Sequence, residues 1–274
     1  MTVHVVIPDT QAKSGAPTEH LGWIGQYVVD QFAGKPDVKI IHLGDHADMP
    51  SLSSYDRGKK AMEGRRYQAD IKAANNAFDI LCEPLDRYNR KRAGFKEKQW
   101  WPERHILLGN HENRITRAGE DNAQIDGLVS LDHLNYAAHG WHVHSFLQPV
   151  ILDGIAYAHY FYQPLTGRAY TGTIDNRLRQ IGHSFTMGHQ QTLLYGVRYV
   201  LDRAQHGLIA GACYLHEEDY KGPQGNAHWR GVVVCHEVVD GHYDAMFVSL
   251  DFLCRRYEGK SLDKFLSRRQ GVAA

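Results

Sequence analysis

Apolar residues recur along the chain with two different periods. Val3-His4-Val5-Val6-Ile7, Lys39-Ile40-Ile41-His42-Leu43 and His105-Ile106-Leu107-Leu108 are short, nearly continuous apolar runs of the kind that form buried strands. Between the first two, Leu21, Ile24, Val28 and Phe32 follow helical spacing behind a Thr18 cap, and Gly34 with Pro36 ends that helix. Strand, helix, strand predicts a βαβ crossover with parallel strands and a right-handed connection, so both strands end at one edge of a sheet. A longer helix is predicted from Tyr67 to Arg92, with Ile71, Phe78, Leu81 and Leu85 as its buried stripe, and another from Asn122 to Ala138.

Strands dominate the remainder. Trp141 to His144 is one, and Val150 to His159 reads as two strands closed around an Asp153-Gly154 turn. A short helix from Asn176 to Ile181 precedes a strand over Ser184 to Met187, and Gly231 to Val239 and His242 to Leu250 flank a second turn at Asp240-Gly241. A single domain over residues 1–274, with a largely helical insertion at 51–104, is the expected organisation.

Charge changes the picture only locally. Lys plus Arg (31) balance Asp plus Glu (31), so no global field recruits polyanions or an anionic membrane. Residues 57–98 nevertheless hold twelve Lys or Arg against six Asp or Glu, a net of +6. Within them, Arg90-Lys91-Arg92 and Phe95, followed by Trp100 and Trp101, mix cations with aromatics as nucleic-acid surfaces do; a solvated helix face followed by two core tryptophans explains the same pattern. No apolar run reaches the roughly 18 residues of a membrane span, and Met1-Thr2-Val3-His4 does not open a signal peptide. A soluble, unprocessed, cytoplasmic protein is expected. Cys82, Cys213, Cys235 and Cys254 are widely spaced, which favours free thiols over disulfides or thiolate zinc.

Polar residues collect where the apolar runs stop, the position at which open α/β sheets bind ligands. Asp9 and Gln11 follow the first strand, Asp45 and Asp48 the second, and Gly109-Asn110-His111-Glu112 the third; His159 ends a later strand and Gly188-His189-Gln190-Gln191 another. Singly, each has a structural reading: Asp9 and Asp45 as helix caps, Asn110 as a left-handed turn residue, His159 as a satisfied core histidine. His42, His46, His142, His144, His183 and His236 hold no motif position and are read as structural, although His142 and His144 share one strand face.

In order, these strand ends read D-x-Q, G-D-x-x-D, G-N-H-E, a lone His and G-H-x-Q, from Asp9 to Gln191. The series resembles the calcineurin-like metallophosphoesterase superfamily, and the variant with Gln in the first and last motifs is most similar to members encoded by phages and prophages. The resemblance implies an α/β fold, specifically a four-layer α-β-β-α sandwich of mixed sheets, with two divalent metal ions at the carboxyl ends of strands. Carried over by position, Asp45 bridges the ions, Asp9, Gln11 and Gln191 complete the first, and Asn110, His159 and His189 complete the second. His111 is then the catalytic histidine and Asp48 its orienting partner. The reaction implied is hydrolysis of a phosphate ester by a metal-bridging hydroxide, with His111 protonating the leaving oxygen.

The chain departs from that pattern at Gln11 and Gln191, where most relatives have His. An all-oxygen first position suits Mn(II) or Mg(II) better than zinc, whereas the second, with two His, suits Mn, Fe, Zn or Ni; Mn(II) is the favoured ion. Arg114 and Arg117, just past the third motif, are candidates for gripping a substrate phosphate, or simply mark an exposed helix start. A phosphodiesterase or nuclease reading rests on the basic insertion, its aromatics and those two arginines. A phosphomonoesterase acting on proteins or small molecules is the alternative, and an inactive binding module a more remote one.

Overall fold

Neighbouring residues of β1 (Thr2–Ile7) serve two different cores: Val5 and Ile7 pack with helices, and Val6 packs toward a second sheet. This is the period-2 alternation of a strand buried on both faces. The computed structural model describes residues 2–218 and 221–272. Around β1 lie β2 (Val38–His42), β3 (Glu103–Leu107), β4 (His142–His144), β10 (Gly231–Val239) and β11 (His242–Ser249), in the order β11-β10-β1-β2-β3-β4. The second sheet is ordered β5-β6-β7-β9-β8, from β5 (Val150–Leu152), β6 (Ile155–Ala158), β7 (Phe185–Met187), β8 (Leu193–Val200) and β9 (Arg203–Ala210). Both sheets are mixed.

Three cores hold these elements. Residues of α1 (Glu19–Phe32), α2 (Tyr67–Gly94) and α6 (Leu250–Glu258) pack against Val5, Ile40, Ile106 and Val234. Val6, Ile41 and Leu107 meet Tyr157, Leu208 and Ala210 between the sheets. Leu178 of α4 (Ile174–Ile181) covers Ala156, Phe185 and Ile209. Parallel pairing runs through β1, β2, β3 and β4 and again through β6, β7 and β9, so each set delivers its carboxyl ends to one edge.

The βαβ start forms as the spacing predicts, and both Asp-Gly turns carry positive φ at each residue (47° and 81°; 48° and 83°), the signature of a tight hairpin turn. The helix expected over Asn122 to Ala138 is not there. The chain coils instead into α3 (Asn113–Asp121), immediately after the third motif, and residues 122–140 are turns with short 3-10 segments at Leu131–His133 and Ala137–His139. The side chain of Asn122 accepts the N–H of Gln124 (3.1 Å) and Gly127 takes φ +80°, each breaking the helical path.

The 51–104 segment is part of the main core rather than an appendage, since Ala74, Ala77, Phe78 and Leu81 of α2 are buried in it. Its direction matters. Near its start, Ala74 O bonds His46 (3.0 Å) and Asp70 accepts Ser51 N–H (2.8 Å), beside the turn after β2. At its end, Asn89 bonds Trp100, whose indole donates to Lys35 O (2.8 Å), in the turn that precedes β2. Arg90, Lys91 and Arg92 therefore lie about 24 Å along the helix from Ala74, at the opposite end of the sheet from the motif residues. The course of α2 thus carries this tract, Phe95 and the tryptophans away from the strand ends.

Two core histidines make the fold acid-sensitive. His4 bonds the Tyr157 hydroxyl (2.7 Å) and Asp153 (2.8 Å), and His20 bonds Cys213 O (2.9 Å). Burial pushes their pKa values down from 6.5 to about 4, against the pull of Asp153, and to about 3. The unfolded chain thus binds more protons below pH 6.5, so stability is full above that pH and is lost as pH falls toward the folded values. Together the pair should remove roughly 3 kcal/mol between pH 6.5 and 5. Denaturant midpoints across that range are expected to fall accordingly; a flat profile would contradict neutral burial of both rings.

Candidate metal centre

Each motif side chain sits on the turn just beyond a strand. Asp9, after β1, is fully buried; its Oδ1 accepts the N–H of His189 (3.0 Å), while Oδ2 is buried with no hydrogen-bond partner among the described residues. Gln11 donates its backbone N–H to Asp45 O (2.8 Å) and leaves a buried Oε1 equally unpartnered. Asp45, after β2, accepts His111 N–H at Oδ1 (2.9 Å). Gln11, Asp45, His189 and Gln191 all adopt left-handed backbone, with φ of 41°, 50°, 65° and 59°. Non-glycine residues held there cost roughly 1–3 kcal/mol each and concentrate at functional sites.

Space for the two carboxylates explains the glycines of two motifs. A Cβ on Gly109 would stand 2.0 Å from Asp45 Oδ1, and one on Gly188 would stand 2.4 Å from Asp9 Oδ1. These are packing requirements of the acids, not turn preferences.

The nitrogen donors arrive from the second sheet. His159, after β6, donates Nδ1–H to Leu43 O (2.8 Å), which fixes its tautomer and turns Nε2 toward Asp45 Oδ2 (3.3 Å) and Asn110 Oδ1 (2.9 Å). His189 Nδ1 lies 2.8 Å from the same Asn110 oxygen. Ligand atoms of Asp45, His159 and His189 fall within 4.8 Å of one another, a cluster that could hold a metal ion. No family model matches the chain, and no curated protein does.

Electrostatics follow from burial and proximity. Burial, with Asp45 adding to it, raises the Asp9 pKa to about 6 against the opposing His159. Burial would raise Asp45 too, but His111 and His159 outweigh it and hold that carboxyl well below its usual range. His159 is driven the other way, to about 9, because Asp45 overcomes desolvation; His189, lacking such a carboxylate bond, is lowered to about 4 by burial and by His159.

His111 stands beside this cluster, with Nε2 3.8 Å from Asp45 Oδ2. Its Nδ1 bonds Asp48 Oδ1 (2.6 Å). Burial opposes its cationic form, but Asp45 and Asp48 prevail and the pKa is raised. Asp48 is itself flanked by Lys13 (3.2 Å) and Arg114 (3.7 Å). Arg114 also donates to Asp48 O (2.8 Å), and its Nη2 lies 3.2 Å from His111 Nε2, so this guanidinium ties the start of α3 to the turn after β2. Arg117 is exposed one turn further along α3.

Several residues that complete the centre carried no assignment in the sequence. Glu112 is fully buried and accepts the backbone N–H groups of Asp45 (2.9 Å), Gly109 (2.9 Å) and Ala47 (2.8 Å), tying the β2 and β3 turns together. Gln191 Oε1 accepts the Tyr214 hydroxyl (2.9 Å) and the Lys221 ammonium. Tyr214 follows β9, whose parallel pairing with β7 brings a sixth strand end to the same edge. Its signal was the apolar run Leu208-Ile209-Ala210 stopping at Gly211. His42 and His46 are bonded to the Thr10 hydroxyl inside the core (3.1 and 2.7 Å).

Among the described residues, no helix is long and apolar enough to cross a membrane.

Proposed function

We propose that the chain is a dimetal phosphoesterase of the calcineurin-like type, with a four-layer α-β-β-α architecture. The observation that carries this reading is that turns after β2, β6 and β7 bring Asp45, His159 and His189 into one cluster that could hold a metal ion, with Asn110 bonded to both histidines and, among the described residues, buried acceptors of Asp9 and Gln11 left unsatisfied. Buried polar atoms are rarely left so, and crowded acceptors repel unless a cation lies between them. The donor set fits divalent ions: Asp45 would serve two positions, with Asp9, Gln11 and Gln191 holding the first ion and Asn110, His159 and His189 the second. The three separate cores support the layered architecture.

Bound divalent ions supply an activated water and withdraw charge from the phosphoryl oxygens. The chain's own contribution is positional. Asp48 accepts Nδ1–H of His111 and orients the ring, leaving Nε2 to pass a proton to the leaving oxygen. Against burial, the bond and charge of His111, helped by Lys13 and Arg114, hold the Asp48 pKa well below the usual range and keep it ionised. Glu112 fixes the two turns on which Asp45, Asn110 and His111 stand.

Phosphodiesters are the favoured substrate class. The supporting cations are Arg57, Lys59, Lys60 and Arg66, exposed together with Tyr55 on the segment that leaves the Asp48 turn and is tied back to it by Arg65 on Pro50 O (3.1 Å). After chelation, Mn(II) is expected to restore hydrolysis better than Zn(II), because the first position offers oxygen donors only, and bis-p-nitrophenyl phosphate is expected to be cleaved in preference to p-nitrophenyl phosphate. Full activity without metal, or with zinc alone, would sink the metal assignment; preference for the monoester would favour a phosphatase.

A further inference from the structure

The donors of the first metal position are already in contact with a cation of the chain itself. Lys221 Nζ donates to Gln191 Oε1 and lies 3.0 Å from the Tyr214 hydroxyl, which donates to that same Gln191 oxygen at 2.9 Å. The Glu218 carboxylate and, after it, that of Asp9 attract this ammonium. Asp9 Oδ2 and Gln11 Oε1, both buried, have no hydrogen-bond partner among the described residues. Two of the three side chains assigned to one ion thus act on one ammonium, Gln191 by a hydrogen bond and Asp9 by attraction.

We propose that Lys221 is a tethered competitor for the first metal position: its ammonium, bonded to Gln191 and attracted by Asp9, must withdraw when an ion binds there. This inference rests on the dimetal reading given above. The structure also shows how withdrawal is possible without unfolding. Asn226 accepts Glu218 N–H (2.9 Å) and donates to Glu218 O (2.9 Å) and Gly222 O (3.0 Å). The flexible four-carbon stem of the lysine side chain allows the ammonium to swing. Tyr214, whose ring centre is 5.7 Å from Nζ, offers the ammonium an aromatic face near its present place.

The two positions consequently differ for a reason beyond ligand type. An ion entering beside Asp45, His159 and His189 displaces no lysine ammonium, whereas one entering beside Asp9 and Gln191 must displace that of Lys221. Wild-type chain titrated with Mn(II) alone, followed by calorimetry and by the electron paramagnetic resonance of the bound ion, is expected to bind one ion tightly and a second more weakly. Lys221→Met, which keeps the stem and removes the charge, should tighten the weaker event by at least about tenfold and leave the tight one in place. Lys221→Arg should stay weak.

Amine labelling of the wild-type chain gives a second readout that needs no variant. Saturating Mn(II) should expose Lys221 and raise its acetylation by a water-soluble ester, read by mass spectrometry. Identical isotherms for wild type and Lys221→Met, tightening by Lys221→Arg, or labelling that is unchanged or falls with Mn(II) would each overturn the proposal. Absence of any Mn(II) binding to the wild type would instead overturn the metal-centre reading on which it rests.

Discussion

His111→Ala is expected to slow hydrolysis of alkyl and nucleoside phosphate esters by about 10²–10⁴-fold, the range of general-acid catalysis, while p-nitrophenyl esters lose far less. The asymmetry comes from the leaving group. An alkoxide is a poor leaving group without a proton, whereas p-nitrophenolate departs as a stable anion. His111 is equipped for this task by the Asp48 bond at 2.6 Å and by a pKa raised through Asp45 and Asp48 against the cost of burial. Its ring is outside the Asp45, His159 and His189 cluster, so metal content should not change. Steady-state rates on a series of esters with graded leaving groups, together with metal analysis, decide the point. Equal losses on every ester, or loss of bound metal, would assign His111 a ligand or structural role.

Glu112→Ala is expected to damage stability more than any other substitution at the centre. The carboxylate receives three backbone N–H groups, and the Tyr136 hydroxyl donates to it at 3.3 Å. Removing it leaves buried donors without acceptors at about 1–3 kcal/mol each, so a loss of roughly 4 kcal/mol and a fall of about 10 °C in Tm are anticipated. Metal affinity should fall with it, because the turns carrying Asp45 and Asn110 lose their common anchor. Thermal melts with and without Mn(II) test both effects. A variant melting with the wild type would mean that water satisfies those amides and that Glu112 is not the anchor.

Much of this arrangement was legible in the chain. The apolar run of β1 stops where the strand does and those of β2 and β3 one residue beyond it, and the crossover rule alone brings Asp9 and Asp45 to one edge. What escaped the reading was set by tertiary geometry. Glu112 looked like one more polar letter of its motif because its partners are backbone amides, which leave no trace in side-chain sequence. The charge excess of residues 57–98 was counted along a helix without knowing which way that helix ran, and the antiparallel course of α2 carries Arg90, Lys91 and Arg92 away from the centre. Lys221 and Tyr214 depend on β9 pairing with β7, a non-local contact that local periodicity cannot reveal. The helix expected over Asn122 to Ala138 failed for the opposite reason, since the local turn chemistry of Asn122 and Gly127 outweighed the hydrophobic spacing.

Every proposed ligand stands on a turn beyond a strand end, and none lies within a strand. The hydrogen-bond ladders of both sheets are thereby insulated from the donor set, and the turns behave as interchangeable inserts on a fixed frame. Directed evolution of the centre can accordingly trade Gln11 or Gln191 for imidazole or carboxylate and alter which ion is preferred without re-registering a single strand. Gly109 and Gly188 are the boundary of that freedom, since they are shaped to the acids opposite them and must travel with Asp45 and Asp9 into any re-engineered version.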